Sequence, residues 1–474
     1  MLYLHTLLYA IARIIPGAIN YLAIYLYTRL LAPHDYGRYS IVVALVTFAN
    51  IVLFQWIRFC LLRFFQACRD DHSQLLGCMA ALYSIMLVFS GGAGLLWYFF
   101  GPTAGIAKNL ILLSLPLLWL MAWYDLTLEL MRSGLHPVRY AWFSTIRAAA
   151  ALALGAALVV FGYTYYGPLV GLACGYFIAG IVLGLGKWKD ASLKGLSVSM
   201  LKPYLVYGMP MMATLSFTCI ILYSDRLLIA WLKGEDAAGI YSASYDLIFW
   251  AISLVMVTIH LASYPLAVKA FEQDGASGTE KALRENGTLL LLIAVPATGV
   301  FFFFGPQIIT IFLGEKFRAG GIPLAPWISL GALCYGIRLY HFDLVFQLSK
   351  KTMVQMWIMG VGAVVNIAAN LLWIPQFGLS GAARAMLLAY LVTLVCSIYW
   401  GRSLIIAPLL NRDTLKIILS ATGAFALAWP LNGVLGGLAG LLTQLSVVAL
   451  CYCGIAWLSN VLNIRKNLFA AKTT

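Results

Sequence analysis

Apolar runs of about 20 residues follow one another along the whole of this chain, each long enough to cross a hydrocarbon core of about 30 Å as a helix. Fourteen can be traced, at 7–31, 39–57, 75–100, 109–131, 140–161, 167–186, 204–231, 239–268, 287–313, 322–348, 353–374, 378–401, 415–436 and 438–462. Only 10% of the 474 residues are charged, 62% are hydrophobic, and the mean hydropathy is +0.90. Soluble domains carry about 25% charged residues, so the expected fold class is an all-α membrane protein of about 14 transmembrane helices.

The net charge of +14 invites a nucleic-acid reading, which the placement of the basic residues answers. With the N-terminus inside, twenty lysines and arginines fall in cytoplasmic segments and five in the opposite ones. That asymmetry is the positive-inside signature, with both termini cytoplasmic, and it predicts no nucleic-acid partner. The N-terminus lacks a basic leader and a small-residue cleavage site, so the first helix is expected to be retained. The nine cysteines are scattered through apolar runs and suggest neither a disulfide framework nor a metal site.

One phrase occurs twice. "YTRLLAPHDYGRYS" (27–40) is echoed by "YSDRLLIAWLKGEDAAGIYS" (223–242), and Pro16 in the first helix by Pro210 in the seventh. A second echo links "YYGPLVGLACGYFIAGIVLGL" (165–185) to "QFGLSGAARAMLLAYLVTLV" (376–395). Six helices intervene, so the halves share orientation, as parallel repeats do. The expected organisation is an N-lobe at 1–186, a basic cytoplasmic linker at 187–203, a C-lobe at 204–401, and helices 13 and 14 with a cytoplasmic tail at 402–474. Duplicated six-helix lobes suit alternating access, with a site at the seam. The repeated charges are expected to be tolerated because each copy borders wet space.

The stretch 207–247, the opening phrase, and "VVNIAANLLWIPQFGLSGAARA" (364–385) resemble the polysaccharide transporter family, which includes the O-antigen flippases, over nearly the whole chain. The resemblance implies membership of the multidrug/oligosaccharidyl-lipid/polysaccharide exporter superfamily, with a V-shaped twelve-helix core and often two extra helices. It also implies translocation of undecaprenyl-pyrophosphate-linked oligosaccharides across the bacterial inner membrane, alongside glycosyltransferase, polymerase and chain-length proteins as partners.

Six arginines lie inside the spans: Arg13, Arg29, Arg147, Arg226, Arg338 and Arg384. Each costs about 2.5–3.5 kcal/mol at mid-membrane on insertion scales, so they are expected to face protein, water or an anion. Asp125, Glu129, Asp225, Asp246 and Asp343 are the counter-charges available. Arg13, Pro16, Gly17 and Asn20 share one stripe of the first helix. Expected substrate contacts are Arg13, Asn20, Arg29, Arg147, Arg226 and Arg338, with Tyr241 and Tyr245 as cavity aromatics. Asp225 and Asp246 are expected ion-coupling carboxylates. Most other aromatics are assigned to the interfacial belt and lipid-facing bulk.

More cations than anions favour a negatively charged passenger, and a pyrophosphate suits the planar fork of arginine. No cofactor is expected, and coupling to membrane potential, H+ or Na+ stays open. Competing readings are a lipid II flippase, a multidrug exporter, and a non-transporting or enzymatic subunit of a polysaccharide synthase complex. Against an enzyme stand the short outer loops and the lack of phosphate-loop, H-E-x-x-H and G-x-S-x-G patterns. The local polar run Asp70, Asp71 and His72 is read as a solvated loop.

Overall fold

The structure, a computed structural model, describes residues 2–65, 72–101, 108–134, 136–192, 198–409, 411–431 and 436–461. In the first helix, side chains are described from Ile14 onward. Asp70 and Asp71 lie outside the described residues, and the side chain of Arg13 lies outside the described side chains.

The described residues are almost all helical, with no strand among them. The helices are α1 (Leu2–Leu30), α2 (Pro33–Leu53), α3 (Gln55–Phe65), α4 (Ser73–Phe100), α5 (Lys108–Ser133), α6 (Pro137–Val160), α7 (Tyr166–Phe177), α8 (Val198–Lys233), α9 (Glu235–Phe312), α10 (Glu315–Gly321), α11 (Ala325–Ile337), α12 (Asp343–Leu348), α13 (Thr352–Gly401), α14 (Arg412–Ala428) and α15 (Gly437–Leu458). Eleven described stretches are long and apolar enough to span a membrane. The longest, Thr352–Gly401, is two spans parted at Gly378, whose φ of 59° suits glycine. Adding α1 and the shorter Tyr166–Val182 gives the fourteen helices expected.

The first and fourth outer connections of the sequence analysis, around 32–38 and 232–238, are almost wholly helical. Ala32 is extended and Pro33 opens α2 at its first turn, where a missing N–H costs nothing. Asp35 then sits in that turn, favourably placed at the positive end of the helix dipole. At the other corner Gly234 alone separates α8 from α9, with Glu235 and Asp236 in the first turn.

The chain forms two compact units, Met1–Ser242 and Ala243–Thr474. Helix α8, the first span of the repeat's second copy, packs on α2 and α3 within the first unit. Also in that unit, α7 lies close against α6. Gly167, Gly171 and Gly175 are spaced one turn apart on α7, and a methyl group at any of them would collide with the α6 segment 147–159. Small residues let membrane helices approach this closely, where dispersion rather than water exclusion drives packing.

Candidate functional site

Two polar networks lie within the spans, one in each unit. In the first unit α5 carries Asp125 and Glu129 one turn apart. Arg58 on α3 reaches both, with Nη1 3.2 Å from Asp125 Oδ2 and Nη2 3.5 Å from Glu129 Oε2. Arg132 closes on Glu129 at 2.8 Å, and Asn50 Nδ2 on α2 donates to Asp125 at 2.9 Å. Arg58 and Arg132, counted with the cytoplasmic segments in the sequence analysis, are therefore partners of intramembrane carboxylates. For Arg58 the reason is that α3 continues the second span about two turns beyond the expected boundary at 57.

Arg147 on α6 stands beside this network. It is half-buried, and its guanidinium lies 5.3 Å from the Tyr176 ring centroid and 5.9 Å from that of Tyr124, the residue before Asp125. Three arginines thus meet two carboxylates, leaving one positive charge. Two cation–π contacts contribute about 0.5–2 kcal/mol each, comparable together with the insertion cost of one arginine, about 2.5–3.5 kcal/mol. Arg147 is made tolerable by the rings without being neutralised.

In the second unit, Arg338 and Asp343 bracket a π-helical turn, Arg338–Phe342. They pair at 2.7 Å, and Asp343 also accepts from Gln355 Nε2 at 3.1 Å and Ser397 Oγ at 2.8 Å. Arg338 is 2% exposed and Asp343 0%. Arg338, expected at the substrate, is instead committed to its own carboxylate, because the extra residue of the π turn brings positions five apart onto one face.

The remaining expected residues are dispersed. Asn20 and Arg29 are exposed on α1; Arg29 lies over Tyr25 at 3.6 Å and donates to that residue's carbonyl at 3.2 Å. Arg226 is buried, 5.8 Å from the Tyr223 ring. Tyr241 is buried and its hydroxyl donates to Asp225 Oδ2 at 2.7 Å, so neither group lines open space. Tyr245 is buried in a stack on Phe249 at 4.6 Å, a core position in place of the expected cavity one. Asp246 is half-buried and accepts from Trp250 Nε1 at 3.2 Å. Arg384 is held between Trp327 and Phe377, at 4.9 and 5.1 Å. Among the described residues no cluster of metal-ligating side chains occurs.

Every described arginine of the six thus rests on an aromatic ring. From sequence alone, carboxylates are the expected partners and most aromatics belong to the lipid belt. The overlooked signal is local: Tyr25 precedes Arg29 by four residues, while Tyr223 and Tyr335 precede Arg226 and Arg338 by three, the spacings that share a helix face.

The repeated phrase has a second meaning. Its two copies dock on each other within the first unit. A Cβ on Gly37 would strike the carbonyl of Glu235, and one on Gly239 the carbonyl of Pro33. Arg38 Nε lies 2.6 Å from Glu235 Oε2, and His34 Nε2 3.2 Å from the same oxygen. The glycines of "YGRYS" and "AGIYS" are thus crossing points between the copies, with ionic partners around them. The charges at this crossing, His34, Arg38 and Glu235, thus meet between the two copies.

A family model described as "Polysaccharide biosynthesis protein" matches residues 26–320. The chain belongs to this family. A putative O-antigen transporter of Shigella flexneri is 22% identical over 397 residues, covering 78% of this chain and 92% of the relative. The membrane protein MJ1068 of Methanocaldococcus jannaschii is 23% identical over 259 residues, 52% of this chain and about half, 48%, of its own length. A probable lipid II flippase MurJ of Rhizobium meliloti is 24% identical over 63% of this chain and 59% of its own. Among solved structures, an inward closed lipid II flippase MurJ superposes with a TM-score of 0.81 at 14% identity, over 97% of this chain and 100% of that one. An inward-facing multidrug resistance transporter of the MOP superfamily gives 0.67 at 12% identity, over 83% and 97%. At such identities the likeness shows the fold. The resemblance read from the repeated phrases therefore holds at the level of family and fold: the chain is a multi-pass membrane member of the polysaccharide biosynthesis family with the fold of these transporters.

Proposed function

We propose that the chain carries an oligosaccharide linked through a pyrophosphate to undecaprenol from the cytoplasmic to the outer leaflet of a bacterial inner membrane, by alternating access. The observation that carries this reading is the surplus cation at Arg147, held half-open by Tyr124 and Tyr176 beside a network with no carboxylate to spare. A guanidinium so placed donates paired hydrogen bonds to a phosphate, and the low surrounding dielectric strengthens them. The membrane field acts in the same direction. Moving one charge is worth about 2.3 kcal/mol per 100 mV, so an inside-negative potential drives an anionic head outward and draws the empty cationic site back. Cytoplasmic termini follow from the basic asymmetry, and proteins that build, polymerise and measure the glycan are the natural partners. H+ or Na+ coupling is an addition to this scheme, with Asp246 the candidate carboxylate.

The experiment is outward flipping of a lipid-linked oligosaccharide in proteoliposomes under an imposed potassium potential. Wild type is expected to flip faster with the inside negative, and R147Q at least tenfold more slowly with unchanged melting temperature. A wild-type rate in R147Q overturns the reading. The fold likeness to the lipid II flippase over 97% of the chain favours lipid II as a second reading; flipping of lipid II in preference to an oligosaccharide lipid, in the same vesicles, would establish it.

A further inference from the structure

At the end of the first unit where α3 finishes, α4 begins, α5 finishes and α6 begins, a cavity of about 220 Å3 opens. One wall is apolar, from Phe65 and Leu76; the other carries His72, His136, Arg139 and Lys187. These four basic side chains come from separate places in the chain: the start of α4, the start of α6, and the 3-10 turn Leu185–Trp188. No carboxylate is among the described lining residues. We infer that this pocket binds a phosphate group, drawn either from a lipid head in the adjoining leaflet or from free phosphate.

Topology alone explains why Arg139 and Lys187 are on this side, since membrane proteins collect lysine and arginine in cytoplasmic segments. It gives no reason for those charges to converge on one concavity, nor for two of the chain's six histidines to join them. His72 is held in place by packing on Phe65, with ring centroids 4.1 Å apart, and by Nε2 lying 3.2 Å from the Phe65 carbonyl. That geometry directs an Nε2–H at the carbonyl. His136, Arg139 and Lys187 are exposed, so their donors are available to a ligand. A phosphate ester presents acceptor oxygens that such a set of N–H donors satisfies through charge-assisted bonds, while Phe65 and Leu76 offer the surface on which an attached chain would lie. The inference does not depend on what the protein transports, and binding is measured without transport.

The test is thermal melting of the purified full-length protein in detergent, titrated with dioctanoyl phosphatidylglycerol, inorganic phosphate and dioctanoylglycerol. Saturable stabilisation by phosphatidylglycerol is expected, with half-saturation weakened at least tenfold in R139Q/K187Q and less than twofold in K269Q/K281Q, which removes two exposed charges from the second unit. Stabilisation by phosphatidylglycerol without inorganic phosphate assigns the lipid head as the source; equal stabilisation by both assigns free phosphate. Should R139Q/K187Q not accumulate, H136Q takes its place, with at least a threefold weakening expected. No stabilisation by either phosphate compound, equal stabilisation by dioctanoylglycerol, or equal weakening in the two double variants overturns the inference.

Discussion

The two units treat the same polar seed in opposite ways. "WYDLTLEL" (123–130) in α5 and "HFDLVFQL" (341–348) running into α12 each place an aromatic, an aspartate and a leucine in a membrane span. In the second unit Asp343 is saturated by one arginine, one amide and one hydroxyl, and the ensemble is neutral and sealed. In the first unit Asp125 shares Arg58 with Glu129, where the second unit has the uncharged Gln347, and a further arginine stands alongside. A closed, balanced pair has nothing left to offer a ligand. An open network with one cation in excess does. The difference teaches that an intramembrane arginine reads as functional or structural according to the local charge balance and not by its depth.

Substitutions can break or sharpen this contrast. R338M is expected to have the largest effect on folding. It strands the Asp343 carboxylate in a dry interior, which typically costs about 3–5 kcal/mol, and R338M/D343L should recover most of it. Melting curves in detergent would test both, and a harmless R338M would place the second network on a par with the first. Next comes the crossing of the repeated phrases. Gly37→Val forces the backbone of α2 away from Glu235, an overpacking penalty of about 1–3 kcal/mol, visible as a lowered melting temperature. R147Q gives up two ring contacts but also the cost of holding a guanidinium in the span, about 2.5–3.5 kcal/mol, so the two offset and the melting temperature should move little, while flipping slows at least tenfold. If its melting temperature fell as far as that of R338M, Arg147 would be structural too. Smallest is R38Q. Its pair with Glu235 is part-exposed, so a loss of about 0.2–1 kcal/mol is expected, and high salt should erase the difference from wild type.

Much of the fold was legible. Hydrophobic length located the spans, because a backbone in hydrocarbon can only be helical over such distances, and the glycines of the two echoed phrases turned out to be where those phrases cross. Helix boundaries were less so: nothing in "FQWIRFCLLRFF" (54–65) marks whether its charges end a span or continue it, and that ambiguity hid Arg58. The site was legible in residue type and not in partnership. Tyr25 with Arg29 and Tyr223 with Arg226 are one helical turn apart and could have been read from spacing alone. Arg58 with Asp125 are 67 positions apart, and Arg38 with Glu235 are 197 apart; no periodicity connects them.

By itself, then, the amino-acid order determined that this chain is a membrane-embedded helical protein with an excess of intramembrane cations. Transfer free energies act residue by residue, and so are written in composition and order. Which cation is neutralised, which rests on a ring and which is left over was decided only when distant helices met, because Coulombic and ring contacts act over a few ångströms between groups that sequence keeps far apart.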